Sequence, residues 1–280
     1  MVIHMEQEIF YSILIVCLNP GKRIEDTLES VFRQTYTNYE VIIKDGGSTD
    51  GSKERVQQLI EKAGMQEKAR WIETKDTGIY DAMNQAISYA TGDYLLFLNA
   101  GDDFYTDTVL SEVTKTAHQD SDLIYGNLYH KALDTVIYAS PQIDAFTCYR
   151  NVPCHQTCFY KRSLFAQRGY EPKYNVRADY EHFLWCYFEA KAKMEYVPVI
   201  VAAYEGGGYS ETKENRKRSA AQHREIVVKY MGKKQANHYR RIMWLTLAPL
   251  RSFLAESTVF SGIYNGIKNT VYRLIRKKEG

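Results

Sequence analysis

Proline is scarce in this chain, with 6 among 280 residues, and cysteine is scarcer, with 5. So few prolines leave few rigid linkers, and the length suits one large α/β domain or two small ones. Cys17, Cys148, Cys154, Cys158 and Cys186 are too few and too scattered for a disulfide scaffold, which points to a reducing compartment. No stretch of about 20 apolar residues occurs, so no membrane-spanning helix is expected. The start of the chain, with Glu6 and Glu8 ahead of a short apolar run, does not read as a signal peptide. Also missing are a phosphate-binding GxxxxGK loop and a GxGxxG turn after the first apolar run. Without them, ATP hydrolysis and Rossmann-type dinucleotide chemistry lose their usual phosphate cradle.

The composition that is present, 45% hydrophobic and 25% charged, is ordinary for a globular protein and excludes a disordered or fibrous chain. Tyrosine is abundant, at 23 residues, so many buried rings will carry a polar tip that needs a partner. A net charge of +2 conceals an asymmetry. From Arg216 onward there are 15 Lys+Arg against 3 Asp+Glu, a balance of +12, which leaves −10 on the preceding 215 residues. An acidic body with a basic tail points to an anionic partner for the tail. The acidic body and the lack of a recognition motif argue against nucleic acid as that partner.

Hydrophobic patterning in the first half alternates strands and helices. Residues 11–17 (YSILIVC) form a continuous apolar run, as in a strand buried on both faces. Ile24, Leu28, Val31 and Phe32 fall on one face of a helix over 23–34. A strand over 39–44, a helix from Ser52 (as its cap) to about Ala63, a short strand over 70–73, a helix over 79–90 and a strand over 93–98 follow. This order predicts a parallel sheet flanked by helices, with strand ends gathered on one edge. Polar clusters follow three of those ends, at Asp45, at 76–81 and at 99–103, and open α/β sheets bind ligands there. Further on, 123–129 and 135–139 read as a hairpin-like pair, 147–160 as irregular, 179–190 as helix and 195–204 as extended. The remainder is basic and mostly helical, which divides the chain at about 210/211.

Two clusters carry chemistry on their residue types alone. Adjacent carboxylates at Asp102 and Asp103, after a buried strand, need water or a cation. A hard divalent ion takes one or two carboxylates plus substrate phosphate oxygens; the competing reading is a solvated, helix-capping turn. Asp45-Gly46-Gly47-Ser48 is a tight polar turn whose glycines permit close approach of a ligand, although such turns are common. Cys154, His155 and Cys158 lack the second Cys/His pair of a structural zinc site.

Taken in order, the blocks SILIVCLN (12–19), SVFRQTYTNYE (30–40), VIIKDGGSTDGS (41–52), ETKDTGIYDAMNQAISYATGDYLLFLNAGDD (73–103) and ADYEHFL (178–184) resemble the family 2 inverting glycosyltransferases. They are most similar to the bacterial enzymes that build capsule, exopolysaccharide or colanic-acid-type units. The resemblance covers about residues 10–210. It implies a GT-A fold, that is, a Rossmann-like, mostly parallel sheet flanked by helices. Residues 10–105 would form the nucleotide-sugar half and 106–210 the acceptor and catalytic half, followed by a basic helical extension over 211–280.

The same resemblance implies roles for individual residues. Asp45 matches the carboxylate that meets the nucleotide base, with Leu18 and Asn19 lining that pocket; Asp76, Gly78 and Asn84 match positions that meet the donor. Asn99, Gly101 and Asp102 stand at the family's acidic metal motif, where Asn and Gly here replace the first two acids. Asp102 is then the expected ligand for Mn²⁺ or Mg²⁺, with Asp103 assisting. Asp179 matches the catalytic base and Glu181 competes for that role; His155 and Gln156 fall on the acceptor or metal side. Gly206-Gly207-Gly208-Tyr209-Ser210 resembles a segment that closes over the donor. The implied partners are a UDP- or GDP-sugar and a glycan acceptor on a lipid carrier at the cytoplasmic membrane face. The basic tail, with Trp244 and Phe253, would supply peripheral membrane contact or self-association. Two alternatives stay open: a non-catalytic sugar-nucleotide binder, motivated by the weakened acid set, and a sugar-1-phosphate nucleotidyltransferase.

Overall fold

The computed structural model describes residues 8–206 and 212–246. The apolar run Tyr11–Cys17 forms β1, covered on both faces as its composition requires. Then come α1 (Arg23–Phe32), β2 (Tyr39–Asp45), α2 (Ser52–Lys62), β3 (Ala69–Glu73), α3 (Ile79–Tyr89), β4 (Tyr94–Phe97), β5 (Asp102–Phe104) and α4 (Val109–Thr116). The second half comprises β6 (Leu123–His130), β7 (Thr135–Ile137), α5 (Ala145–Arg150), β8 (Cys158–Lys161), α6 (Arg162–Gln167), α7 (Ala178–Phe188), β9 (Met194–Tyr204) and α8 (Lys213–Leu245). Short 3₁₀ turns occupy Lys131–Leu133 and His155–Thr157.

Among the described residues the strands form one sheet in the order β3-β2-β1-β4-β8-β6-β9-β5, with β7 added to β6. The first four strands of that order are parallel, with Tyr11 opposite Tyr39 and Tyr94. Their C-terminal ends, at Asp45, Glu73 and Leu98, therefore lie along one edge. Beyond β4 the sheet is mixed: β8 is antiparallel to both β4 and β6, β9 is parallel to β6, and β5 is antiparallel to β9. The hairpin expected around 131–134 is present as β6–β7. Ile13 and Ile15 of β1, Val41 and Ile43 of β2 and Leu96 of β4 pack with Ile24, Leu28 and Val31 of α1 in one fully buried core. Each such side chain contributes roughly 1.5–3 kcal/mol by leaving water.

Two local expectations are corrected. Ser52 does not cap α2; it is the first helical residue, and Asp50 accepts hydrogen bonds from its N–H at 3.1 Å and from its hydroxyl. Asp102 and Asp103 do not lead into a helix but begin β5, which pairs with Ala202–Tyr204. The described residues fall into two units, one ending at Ile226 and the other starting at Val227, beyond the boundary expected near 210. Hydrogen bonds account for the first turns of α8 joining the body. Gln222 Oε1 accepts from Val176 N–H at 3.2 Å, and the Tyr174 hydroxyl donates to Glu225 at 2.9 Å. In the second unit, α8 is interrupted at Gly232, whose φ of +73° is not helical.

Candidate active site

Three loops at the sheet edge are tied to one another before any chemistry is considered. Asn19, in the left-handed conformation at φ +48°, donates its N–H to Ser48 Oγ at 2.7 Å, and its Oδ1 accepts from Thr49 N–H at 2.9 Å. Asp45, 1% exposed, accepts from the N–H groups of Gly47 at 2.9 Å and Ser48 at 2.7 Å, and from the Ser48 hydroxyl. Its carboxylate is thus committed to holding the turn after β2, not held out toward a base. The carboxylate beside it that reaches the surface is Asp76, paired with the fully buried ammonium of Lys44. A Cβ on Gly46 would lie 2.8 Å from Asp76 Oδ2 and 3.4 Å from Leu18 Cδ1, so glycine is what lets both side chains close over this turn. Leu18 itself is 60% exposed, an uncovered aliphatic face next to Asp76.

From Asp76 the site runs along the N-terminus of α3. Gly78, at φ +139°, donates its N–H to Asp76 Oδ1 at 3.1 Å, and Asp81 reaches back to accept from Thr77 N–H at 2.8 Å. Both carboxylates sit where the helix presents free N–H groups and positive potential. One residue into α3, Tyr80 donates its hydroxyl to Asp179 Oδ1 at 2.7 Å. The other oxygen of Asp179 lies 3.2 Å from His155 Nδ1, and His155 Nε2 lies 3.2 Å from Asn99 Nδ2. Burial pushes the Asp179 carboxyl up, but the hydrogen bond and charge of His155, with the Tyr80 hydroxyl, outweigh it and hold the group below the usual range. Asp179 is therefore an ionised carboxylate with 27% of its side chain open to solvent.

Asp102 completes the line. Gly101, at φ +107°, permits the turn that brings Asp102 N–H back to the Asn99 carbonyl at 2.9 Å. Burial raises the Asp102 carboxyl to about 6, against the pull of His155 and a hydrogen bond from Gln156. Successive residues of a strand face opposite ways. Asp103 accordingly points away and pairs with Lys131, so it does not join Asp102 as a second ligand. Glu181, two residues along α7 from Asp179, is fully buried and paired with Arg168, which removes it from contention as the base. Asn84 is spent on the backbone of Tyr170, donating to its carbonyl at 2.9 Å and accepting from its N–H at 2.8 Å. The glycine-rich segment expected as a lid lies, after Gly206, outside the described residues.

The structure thus brings Asp76, Gly78, Asn99, Gly101, Asp102, His155, Gln156 and Asp179 into one contiguous line, with Leu18, Asn19 and Asp45 shaping its first turn. Lys44 and Tyr80 were not singled out from the sequence. Lys44 had a signal, since an ammonium inside a buried strand requires a carboxylate partner. Tyr80 had none beyond its place next to Asp81.

Residues 12–190 match the family model described as "Glycosyl transferase family 2". The chain belongs to glycosyl transferase family 2. A relative from Mycobacterium bovis (strain BCG), named "PGL/p-HBAD biosynthesis glycosyltransferase", is 36% identical over 208 residues, spanning 72% of this chain and 79% of its own. Among solved structures, the mannosyltransferase PcManGT from Pyrobaculum calidifontis, in complex with GDP-Man and Mn²⁺, aligns with a TM-score of 0.65 at 18% identity. That alignment covers 97% of this chain and 83% of the other. S. aureus TarS 1-349 in complex with UDP-GlcNAc aligns with a TM-score of 0.62 at 15% identity, covering 79% and 71%. At these identities the two structures establish the GT-A fold and nothing finer.

Among the described residues there is no ready group of three His, Cys, Asp or Glu side chains able to hold a metal. What is present is one buried carboxylate, Asp102, that takes part in no ion pair among the described residues, and a buried Oδ1 on Asn99 in the same turn that lacks a partner. Hard oxygens with one ionisable member suit a divalent cation that brings phosphate oxygens with it; they do not suit zinc or a softer ion.

Proposed function

We propose that this family 2 member transfers a sugar, with inversion, from a UDP- or GDP-sugar to an acceptor hydroxyl on a lipid-linked glycan. The observation that carries the reading is Asp179. It is ionised, partly open, held on both oxygens, and sits beside the turn that presents Asp102. In the reaction Asp179 takes the proton of the acceptor hydroxyl. The acceptor oxygen bonds to the anomeric carbon as the bond to the diphosphate oxygen breaks on the opposite face. Asp76, anchored on Lys44, and the N-terminus of α3 face the donor's ribose and phosphates. Asp102 would hold Mn²⁺ or Mg²⁺, which when bound offsets charge on the departing diphosphate.

The nucleotide sugars bound by the two structural neighbours, and the biosynthetic role in the mycobacterial relative's name, support this donor and acceptor class. A surface-polysaccharide role at the inner membrane face, with the basic tail on the lipid, fits the charge asymmetry of the chain. A second reading, a sugar-nucleotide binder without transferase activity, is favoured by the loss of Asp103 to Lys131. The deciding experiment measures donor turnover and thermal shift on a panel of UDP- and GDP-sugars with Mn²⁺. Wild type is expected to be stabilised by a donor and to turn it over. Asp179→Asn is expected to keep the thermal shift and lose at least about 100-fold in turnover. Asp102→Ala loses the metal-dependent part of the shift. Stabilisation without turnover in wild type would favour the binder.

A further inference from the structure

The candidate base is joined to the metal-motif turn through a single imidazole, and the atoms on either side of that ring determine which nitrogen carries its proton. An ionised carboxylate only accepts, so the 3.2 Å contact with Asp179 Oδ2 requires a hydrogen on His155 Nδ1. An amide nitrogen only donates, so the 3.2 Å contact with Asn99 Nδ2 requires a bare lone pair on His155 Nε2. Both demands are met by one species, the neutral imidazole with its proton on Nδ1. The ring is anchored in the 3₁₀ turn His155–Thr157 and its side chain is 19% exposed, so its environment and not bulk water sets this state.

We infer that Asn99 selects the tautomer of His155, and that His155 is a positioning residue which fixes the rotation of the Asp179 carboxylate. The inference rests on the proposed role of Asp179. With the His155 N–H on one oxygen and the Tyr80 hydroxyl on the other, the carboxylate cannot turn, and its remaining lone pairs are left for the acceptor proton. His155 keeps its own proton throughout, because the proton leaving the acceptor goes to Asp179.

This account explains why asparagine stands where the family's motif has an acid. An aspartate at position 99 would accept from Nε2–H and draw a second proton onto the ring. The resulting imidazolium would stabilise Asp179 as an anion too strongly for it to take a proton readily. Asparagine is the near-isostere that keeps the ring neutral. The departure at Asn99 is then coupled to the presence of His155, and does not mark a decayed site.

The test uses the whole protein labelled with ¹⁵N-histidine, with the His155→Asn spectrum identifying the His155 signals by their loss. Near pH 7.5, His155 is expected to show a protonated Nδ1 and an unprotonated Nε2. In Asn99→Ala the proton is expected to move to Nε2, the form favoured by imidazole in water. A wild-type ring protonated on Nε2, or on both nitrogens (as it would be with the Asn99 amide reversed), overturns the inference.

Kinetics supply a second readout. His155→Leu is expected to lower kcat roughly tenfold or more with donor KM within about twofold. His155→Asn, whose amide nitrogen takes the place of Nδ1, recovers most of that loss. Equal impairment of the two variants, or kcat and KM moving together, would show His155 to be merely structural. The spectrum needs no substrate, so failure to find a donor would defeat the proposed function while leaving the tautomer result to stand or fall by itself.

Discussion

His182 shows how one residue of this fold acquires a pH dependence. It is fully buried on α7, stacked on Phe165 with ring centroids 4.4 Å apart, and its Nε2 lies 3.1 Å from the Arg168 carbonyl. Burial penalises the imidazolium and the Arg168 charge adds to that, so its pKa falls to about 4 despite the carbonyl contact. In the unfolded chain the same group titrates near 6.5. Above that pH both states are neutral and the residue contributes no pH dependence. As pH falls from about 6.5 to 4 only the unfolded state takes up the proton, and native stability drops by about 3 kcal/mol at most. Asp102 acts in the opposite sense over part of this window. Its folded pKa, raised to about 6, lets the native state take up a proton first and recover stability as pH falls toward 4. Urea denaturation of wild type and His182→Phe from pH 7 to 4.5 is expected to show a shallower loss of stability in the variant. Parallel curves would mean that His182 is protonated in the fold. The sequence made Asp102, His155 and Asp179 legible because a polar residue after a buried strand or at a helix start stands out by type. It did not make legible that Asp45 and Glu181 are consumed as supports. That depends on partners, the turn at Gly47–Ser48 and the distant Arg168, which spacing cannot supply.

Elements whose identity depends on their own residues were read to within one or two positions. The run from β1 to β4 with its three helices follows hydrophobic period and turn chemistry alone. β5 was missed for a physical reason. Asp102-Asp103-Phe104 has no strand propensity, and it becomes a strand only because β9, about a hundred residues later, offers it a ladder. The same long-range pairing makes β6–β9 sensitive at Gly126, where the register between the two strands shifts. A Cβ there would fall 2.5 Å from the Val199 carbonyl oxygen and 2.8 Å from Val201 Cγ2. The first of these is backbone in a paired strand and cannot swing aside. Gly126→Ala is therefore expected to cost on the order of 1–3 kcal/mol, read as a lower urea midpoint, while donor affinity per folded molecule is unchanged. An alanine variant as stable as wild type would show that β9 gives way at this point, and that the bulge is not held rigidly.

Charge is the property that only the whole chain reveals, because +2 overall is the sum of +12 from Arg216 onward and −10 before it. An anionic leaflet repels the body and attracts the tail at about 1 kcal/mol for each Lys or Arg near the surface. The attraction is electrostatic and its range shrinks from about 8 Å at physiological salt to about 3 Å at 1 M. No helix among the described residues is long and apolar enough to cross a membrane, so binding by this route would be reversible. Trp244 and Leu245, each 74% exposed a few residues after Arg240 and Arg241, are suited to the interface between headgroups and acyl chains. Sedimentation with vesicles is expected to recover the full chain on anionic lipid at low salt, to release it at high salt, and to recover little on neutral lipid. Trp244 emission should shift to the blue on the anionic vesicles, and Arg240→Glu with Arg241→Glu should weaken binding without altering donor turnover in solution. Binding indifferent to both salt and lipid charge would mean that apolar contact governs the tail. No binding at all, with a molecular mass that rises with concentration, would assign the basic segment to self-association.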